Sequence, residues 1–242
     1  MAGRIWQGAM SVTERGPERE VVAIEIVEDF SSSARCDEGF LQVRRLRCRN
    51  RRQDGSSSPI YRVDVIDRPR LDAVAVMIHR QGEHGLEILT RTQLRPAAYF
   101  RAGKPMALPD GRSHLRVEEI VAGLLEPTDQ GEAGLRWRAS EEVREEAGIT
   151  VAPADIRLLG APFFVVPGIL SEKIFLAAVD ATGSPQSRPE GDGSPLEEGG
   201  TLRWRKVEEA LALCQRGEIQ DAKTEMGIYR LLAEQAKGST PL

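Results

Sequence analysis

The 242-residue sequence predicts an α+β protein, a mixed sheet layered with helices. Three observations carry that class. Strand-like segments separated by turn residues fill the first half of the chain. The clear helical periodicities come later, at 135–147 and after 207. Strands and helices do not alternate regularly, as a wound parallel sheet would require.

Taken in order, residues 1–20 are polar and Gly-rich and read as an arm. VVAIEIVEDF, GFLQVRRLRCRN and IYRVDVID read as three strands, the last two joined by the turn-rich RRQDGSSSP. Together they make a small antiparallel domain over 21–68. The arginine-dense strand from Val43 to Arg52 has two readings: a phosphate-binding surface, or the commoner case of arginines on a wet sheet face. After RPRL the composition shifts to core, and a second domain is expected over 69–238. DAVAVMIH and LEILTRTQL are apolar enough for buried strands. The Gly- and Pro-rich 96–117 stretch is longer than most connections and reads as either a binding loop or a partly mobile one. VEEIVAGLLE reads as one strand, and IRLLGAPFFVV and SEKIFLAAVD read as a strand pair. A low-complexity loop over 181–200 precedes the strand TLRWRKV. The helix EEALALCQRGEI follows, then a final amphipathic helix with Met226, Tyr229, Leu232 and Ala233 on its apolar face.

The segment ASEEVREEAGI carries the chemistry. Leu135, Ala139, Val143 and Ala147 recur every fourth residue and make one apolar stripe, and Gly148 supplies a C-terminal stop. Glu142, Glu145 and Glu146 then fall on one patch of the same helix. Each like-charged pair at such spacing costs a helix about 0.2–0.5 kcal/mol. A run of this kind alone is more often a solvated face. Three convergent carboxylates also suit a hard cation such as Mg²⁺ or Mn²⁺, which takes oxygen ligands and phosphate oxygens.

The remaining composition narrows the classes. A net charge of −4 argues against a generic nucleic-acid binder. The cysteines Cys36, Cys48 and Cys214 lack metal-ligand spacing, and their odd number suits a reducing compartment. No apolar run is long enough for a membrane span, and the N-terminus lacks the apolar core of a signal peptide, so a cytoplasmic location is expected.

The surroundings of the acidic helix resemble the Nudix hydrolases. EEVREEAGI matches the second half of their signature through Glu142, Val143, Glu145, Glu146, Gly148 and Ile149, and Gly123 and Glu132 supply its first half. Glu141 stands where the family has arginine. The gaps from Gly123 to Glu132 and from Glu132 to Glu141 each hold eight residues, longer than in the family. Arg138, one turn before Glu141, is the candidate stand-in for the missing cation. Further segments in order, TRTQLRP, EEIVAG, VVPGILSEKI, EEGGTLRW and GEIQDAKT, resemble the ADP-ribose and nucleotide-sugar pyrophosphatases of that family.

The resemblance implies a Nudix fold and a homodimer whose N-terminal domain covers the partner's nucleotide site. It also implies Mg²⁺- or Mn²⁺-dependent hydrolysis of a nucleoside diphosphate sugar to two monophosphates. By position, the Ala122 carbonyl and the carboxylates of Glu142, Glu145 and Glu146 would hold metal. Arg95 and Glu172 would hold substrate. Glu198, with Glu197 adjacent, would orient or deprotonate water. The alternative is a Nudix-fold module that binds such a ligand with little or no turnover. Expected partners are therefore a small nucleotide sugar and a second copy, with neither nucleic acid nor membrane.

Overall fold

The computed structural model describes residues 35–191 and 193–238, with Val22, residues 25–27 and Ser33. The first expected strand, 21–30, lies largely outside the described residues. The other two form a hairpin, β1 (Gln42–Cys48) and β2 (Tyr61–Asp67), antiparallel from Gln42 opposite Asp67 to Cys48 opposite Tyr61. A hairpin alone is marginal in water, and this one is tied to the body. The Ile66 amide donates to the Ile169 carbonyl at 2.8 Å, and Arg68 pairs with Glu172.

The body is an eight-stranded mixed sheet. Its spine runs β10 (Leu202–Lys206), β4 (Gly85–Leu94), β3 (Ala73–Gly82), β9 (Lys173–Asp180) and β7 (Arg157–Leu158). Only β3 and β9 run parallel within it, with Ala73 opposite Ile174. The apolar run at the start of β3 makes it the central strand, since both its faces must be covered. Val74, Val76 and Ile78 meet the helix α2 (Gly131–Ala147) on one side. Ala73, Ala75 and Met77 meet α3 (Val207–Gln215) and α4 (Ala222–Gly238) on the other. The sheet therefore lies between helices, in the α+β class the sequence implies.

Three expectations need correction. VEEIVAGLLE is two strands, β5 (Arg116–Glu119) on β4 and β6 (Val121–Leu124) on β3. The register explains the split. Strands β3 and β4 pair directly only near their turn, from His79 opposite Ile88 to Gly82 opposite Gly85. Beyond it each takes its own partner from the 116–124 segment. Ile120 is the crossing point, and its amide donates to the Thr224 hydroxyl at 2.9 Å rather than to a strand. IRLLGAPFFVV likewise becomes two short strands, β7 and β8 (Phe163–Phe164), both paired with β9. In α4 the buried residues are Thr224, Gly227, Ile228 and Leu231, while Met226, Tyr229 and Ala233 face water. Gly227 decides this: a Cβ there would meet Met77 Cε at 2.6 Å, so the helix approaches the sheet along its glycine. The 96–117 connection holds one short helix, α1 (Pro96–Tyr99).

Candidate active site

Helix α2 forms as its pattern dictates. Leu135, Ala139, Val143 and Ala147 are buried against the sheet, and Gly148 ends the helix in the left-handed region at φ 68°. Burying Leu135 or Val143 contributes about 1.5–3 kcal/mol each. That seam fixes the rotation of the helix and turns Glu142 and Glu146 toward β6, where the sheet opens around the 116–124 crossover.

At that opening the strand backbone is part of the site. The Ala122 amide donates to Glu146 Oε2 at 3.3 Å. The Glu142 carboxylate lies against Gly123, where an added Cβ would sit 1.9 Å from its Cδ and Oε1. Gly123 is thus required by close approach rather than by backbone conformation. Burial, then the charges of Glu146 and Glu145, push the Glu142 carboxyl up to about 7. Burial also lifts Glu146 above the usual carboxylate range, against the pull of Arg91.

Arg91 is the cation sequence reasoning missed. From β4 it contacts Glu146 and reaches Glu197 Oε1 at 3.0 Å, with its side chain 7% exposed. Burial works against its charge, but Glu146 and Glu197 raise its pKa above the usual arginine value. A signal was available, because an arginine inside the buried strand LEILTRTQL must meet a carboxylate in the core. Glu197 sits in the 3-10 turn Pro195–Glu197 of the Gly-rich loop. Glu198, the next residue, is exposed, and its carbonyl accepts from Arg116 Nη1 at 2.8 Å. Arg91, Glu146, Glu197 and Glu198 line a cleft of about 410 Å³ with the loop residues 188–191 and 199–201.

Other candidates stand apart from this cluster. Glu145 is held by Arg144 at 2.8 Å, and the same guanidinium bonds Glu141 at 2.9 Å and Glu190 at 2.9 Å. The counter-charge to Glu141 is therefore Arg144. The expected stand-in, Arg138, bonds Asp129 at 2.9 Å, because Asp129 precedes the helix and faces its first turns, and its charge acts on Glu142 rather than Glu141, pulling that carboxyl down against burial. Arg95 pairs with Glu119 at 2.5 Å. Glu119 is 2% exposed and also meets Gln93 and Lys223. Glu172 accepts from Arg68. Neither Arg95 nor Glu172 lines the 410 Å³ cleft.

Among the described residues no group of three His, Cys, Asp or Glu is arranged to hold a metal ion. The donor chemistry of Glu142 and Glu146 still fits a hard cation: two half-buried carboxylates lie one helical turn apart, and each is lifted above its ordinary range. Arg91 is the buried cation between Glu146 and Glu197.

No family model matches the chain, and no curated protein does. Among solved structures it is similar to the crystal structure of an ADP compounds hydrolase, with a TM-score of 0.53 and 14% identity. The match covers 84% of this chain and 96% of that one. At that identity the likeness shows a shared fold alone.

Proposed function

We propose that the chain is a divalent-metal-dependent hydrolase of the diphosphate bond in a nucleoside diphosphate sugar such as ADP-ribose. The observation that carries this reading is the Glu142–Glu146 pair set against Ala122 and Gly123 beside a 410 Å³ cleft. Crowded acids that raise one another's pKa are costly to a fold and are commonest where a reaction uses them. The likeness of fold to an ADP compounds hydrolase supports the substrate class.

In this reading Glu142, Glu146 and the Ala122 carbonyl would hold Mg²⁺ or Mn²⁺, and Glu145 would join them from its place on Arg144. The bound ion would neutralise diphosphate oxygens and acidify water. Arg91 holds Glu146 and Glu197 in fixed positions, so the helix and the Gly-rich loop keep a constant spacing across the cleft. Glu198, exposed on that loop, is the group assigned to orient or deprotonate the attacking water. Arg95 and Glu172 are assigned to the substrate, the first by charge and the second through sugar hydroxyls. Release of two monophosphates needs positioning and charge neutralisation rather than a covalent intermediate.

One observation favours a second reading, a module that binds the ligand with little turnover: Glu145 is engaged by Arg144, and no three-carboxylate group is assembled among the described residues. A panel of nucleotide sugars, assayed for monophosphate release with and without Mg²⁺, separates the two. Mg²⁺-dependent release from at least one member supports the hydrolase. Saturable binding of the same compounds without release supports the module.

A further inference from the structure

Between residues 42 and 64 the chain carries seven arginines and two aspartates. The hairpin register sorts them. Arg45 lies opposite Asp64 and Arg47 opposite Arg62, so these four share one face, and Arg49 continues the same alternation just past the strand end. Arg44 belongs to the other face, beside half-buried Leu46 and Val63, and pairs with Asp67 at 3.4 Å. Arg45, Arg47, Arg49 and Arg62 are exposed and make no ion pair among the described residues. That contrasts with Arg68, Arg91, Arg95, Arg138, Arg144 and Arg205, each on a carboxylate.

Like charges directly opposed on a ladder repel one another, so the Arg47–Arg62 pair is a cost that an anion would remove. Alternate residues of a strand are about 6.8 Å apart, a repeat comparable to that of successive phosphates in an extended single strand. Arg45, Arg47 and Arg62 also line a groove of about 760 Å³ with Asp64, Gly168 and Ile169, so three arginines face one carboxylate there. A concave site accepts a chain of phosphates and does not fit the flat surface of a bilayer. Tyr61 lies opposite Cys48, on the other face, so the arginine face offers no aromatic platform for bases.

We propose that the Arg45–Arg47–Arg62 face binds the phosphodiester backbone of a single-stranded nucleic acid, without reading its sequence. The whole-chain charge of −4 averages over this face and does not describe it. The inference is independent of the hydrolase reading, since it uses none of the residues assigned to that site.

Fluorescence anisotropy of labelled oligouridine with the full chain tests it, across about 50 to 200 mM salt. Three to four neutralised phosphates predict a slope of log K against log salt of about −2 to −3. Arg47→Ala with Arg62→Ala should reduce the slope by about 1.4 and weaken low-salt binding by about ten-fold or more. Arg44→Ala, on the opposite face, should bind as the parent does. Unchanged circular dichroism and nucleotide-sugar hydrolysis in the double variant would show that the fold is intact. The proposal is overturned if the double variant binds like the parent. It is equally overturned if oligouridine fails to bind while phosphatidylserine vesicles sediment the protein. Loss of a dimer in the double variant, with no oligonucleotide binding by the parent, would assign the face to a second copy instead.

Discussion

Gly123→Ala isolates the position of one carboxylate from the stability of the fold. A Cβ at residue 123 would stand 1.9 Å from Glu142 Cδ and Oε1, against 3.4 Å for an ordinary contact, so the carboxylate must withdraw by about 1.5 Å. What moves is the end of a flexible side chain, and Gly123 does not occupy the left-handed region. An off-rotamer Glu142 costs about 0.5–1.5 kcal/mol. Replacing glycine inside a strand returns roughly 0.5–1 kcal/mol, so the melting temperature should stay within a few degrees. Catalysis should not survive as well: misplacement by about 1 Å can cost about 100-fold in rate. The assay is Mg²⁺-dependent hydrolysis of ADP-ribose beside a thermal melt. Gly227→Ala serves as the opposite control, because its Cβ would meet Met77 Cε at 2.6 Å in the core. It should lose about 1–3 kcal/mol of stability and keep the turnover of its folded fraction. A Gly123→Ala protein that hydrolyses at the parent rate would refute the role given to Glu142. One that fails to fold would refute the claim that the strain ends in a movable side chain.

Glu142 also sets a pH dependence. Its carboxyl rises from 4.5 to about 7 on folding, chiefly through burial. Between those values the folded chain holds the extra proton, so stability falls as pH rises through 7, by about 3 kcal/mol in full. Glu142→Gln should abolish turnover, raise the melting temperature at pH 8 and flatten its fall with pH; a melt unchanged at pH 8 would show that the carboxylate is not under strain. Mg²⁺ should raise the melting temperature of the parent and leave that of Glu142→Gln nearly unmoved, as differential scanning fluorimetry would report. Arg91→Leu removes the buried cation that faces Glu146 and Glu197 and should cost about 3–5 kcal/mol, or roughly 6–20 °C in melting temperature; a smaller shift would place most of their compensation elsewhere. Glu198→Gln should lower kcat without moving the melt, whereas Glu197→Gln, which weakens the contact with Arg91, should lower the melt; the reverse pattern would exchange their roles. Light scattering should give twice 26.7 kDa, since Phe40, Ile60 and Phe164 are each about half exposed; a monomer at micromolar concentration would remove the dimer.

Where one physical signal dominated, the sequence was readable. The four-residue recurrence of Leu135, Ala139, Val143 and Ala147 defines α2 because only one face of that helix can be buried, and Gly148 stops it because only glycine takes that turn freely. The unbroken apolar run of β3 marks the central strand for the same reason. Legibility failed where a close approach or a distant partner decided the outcome. In α4, Met226 and Tyr229 look like the better apolar face by composition, yet Gly227 lets the helix sit on Met77, and contact distance outweighed side-chain size.

The same distinction runs through the site. The spacing of Glu142 and Glu146 is a local property of a helix and could be read directly. Their environment depends on the crossover at Ile120, which brings Ala122 and Gly123 to the helix and leaves Arg91 facing Glu146 from the neighbouring strand. Arg138 was the nearest cation in sequence, but Asp129 lies closer to it than any glutamate of the motif. Arg144, within the motif itself, bonds three glutamates at once. A helix bearing four acids within six residues is therefore balanced from three directions, by Arg144 along its outer surface, by Arg138 one turn before Glu142, and by Arg91 across the cleft. In the proposed hydrolase, the half of that balance set into the sheet, Glu142 and Glu146 with Arg91 between Glu146 and Glu197, is where a divalent cation would be held.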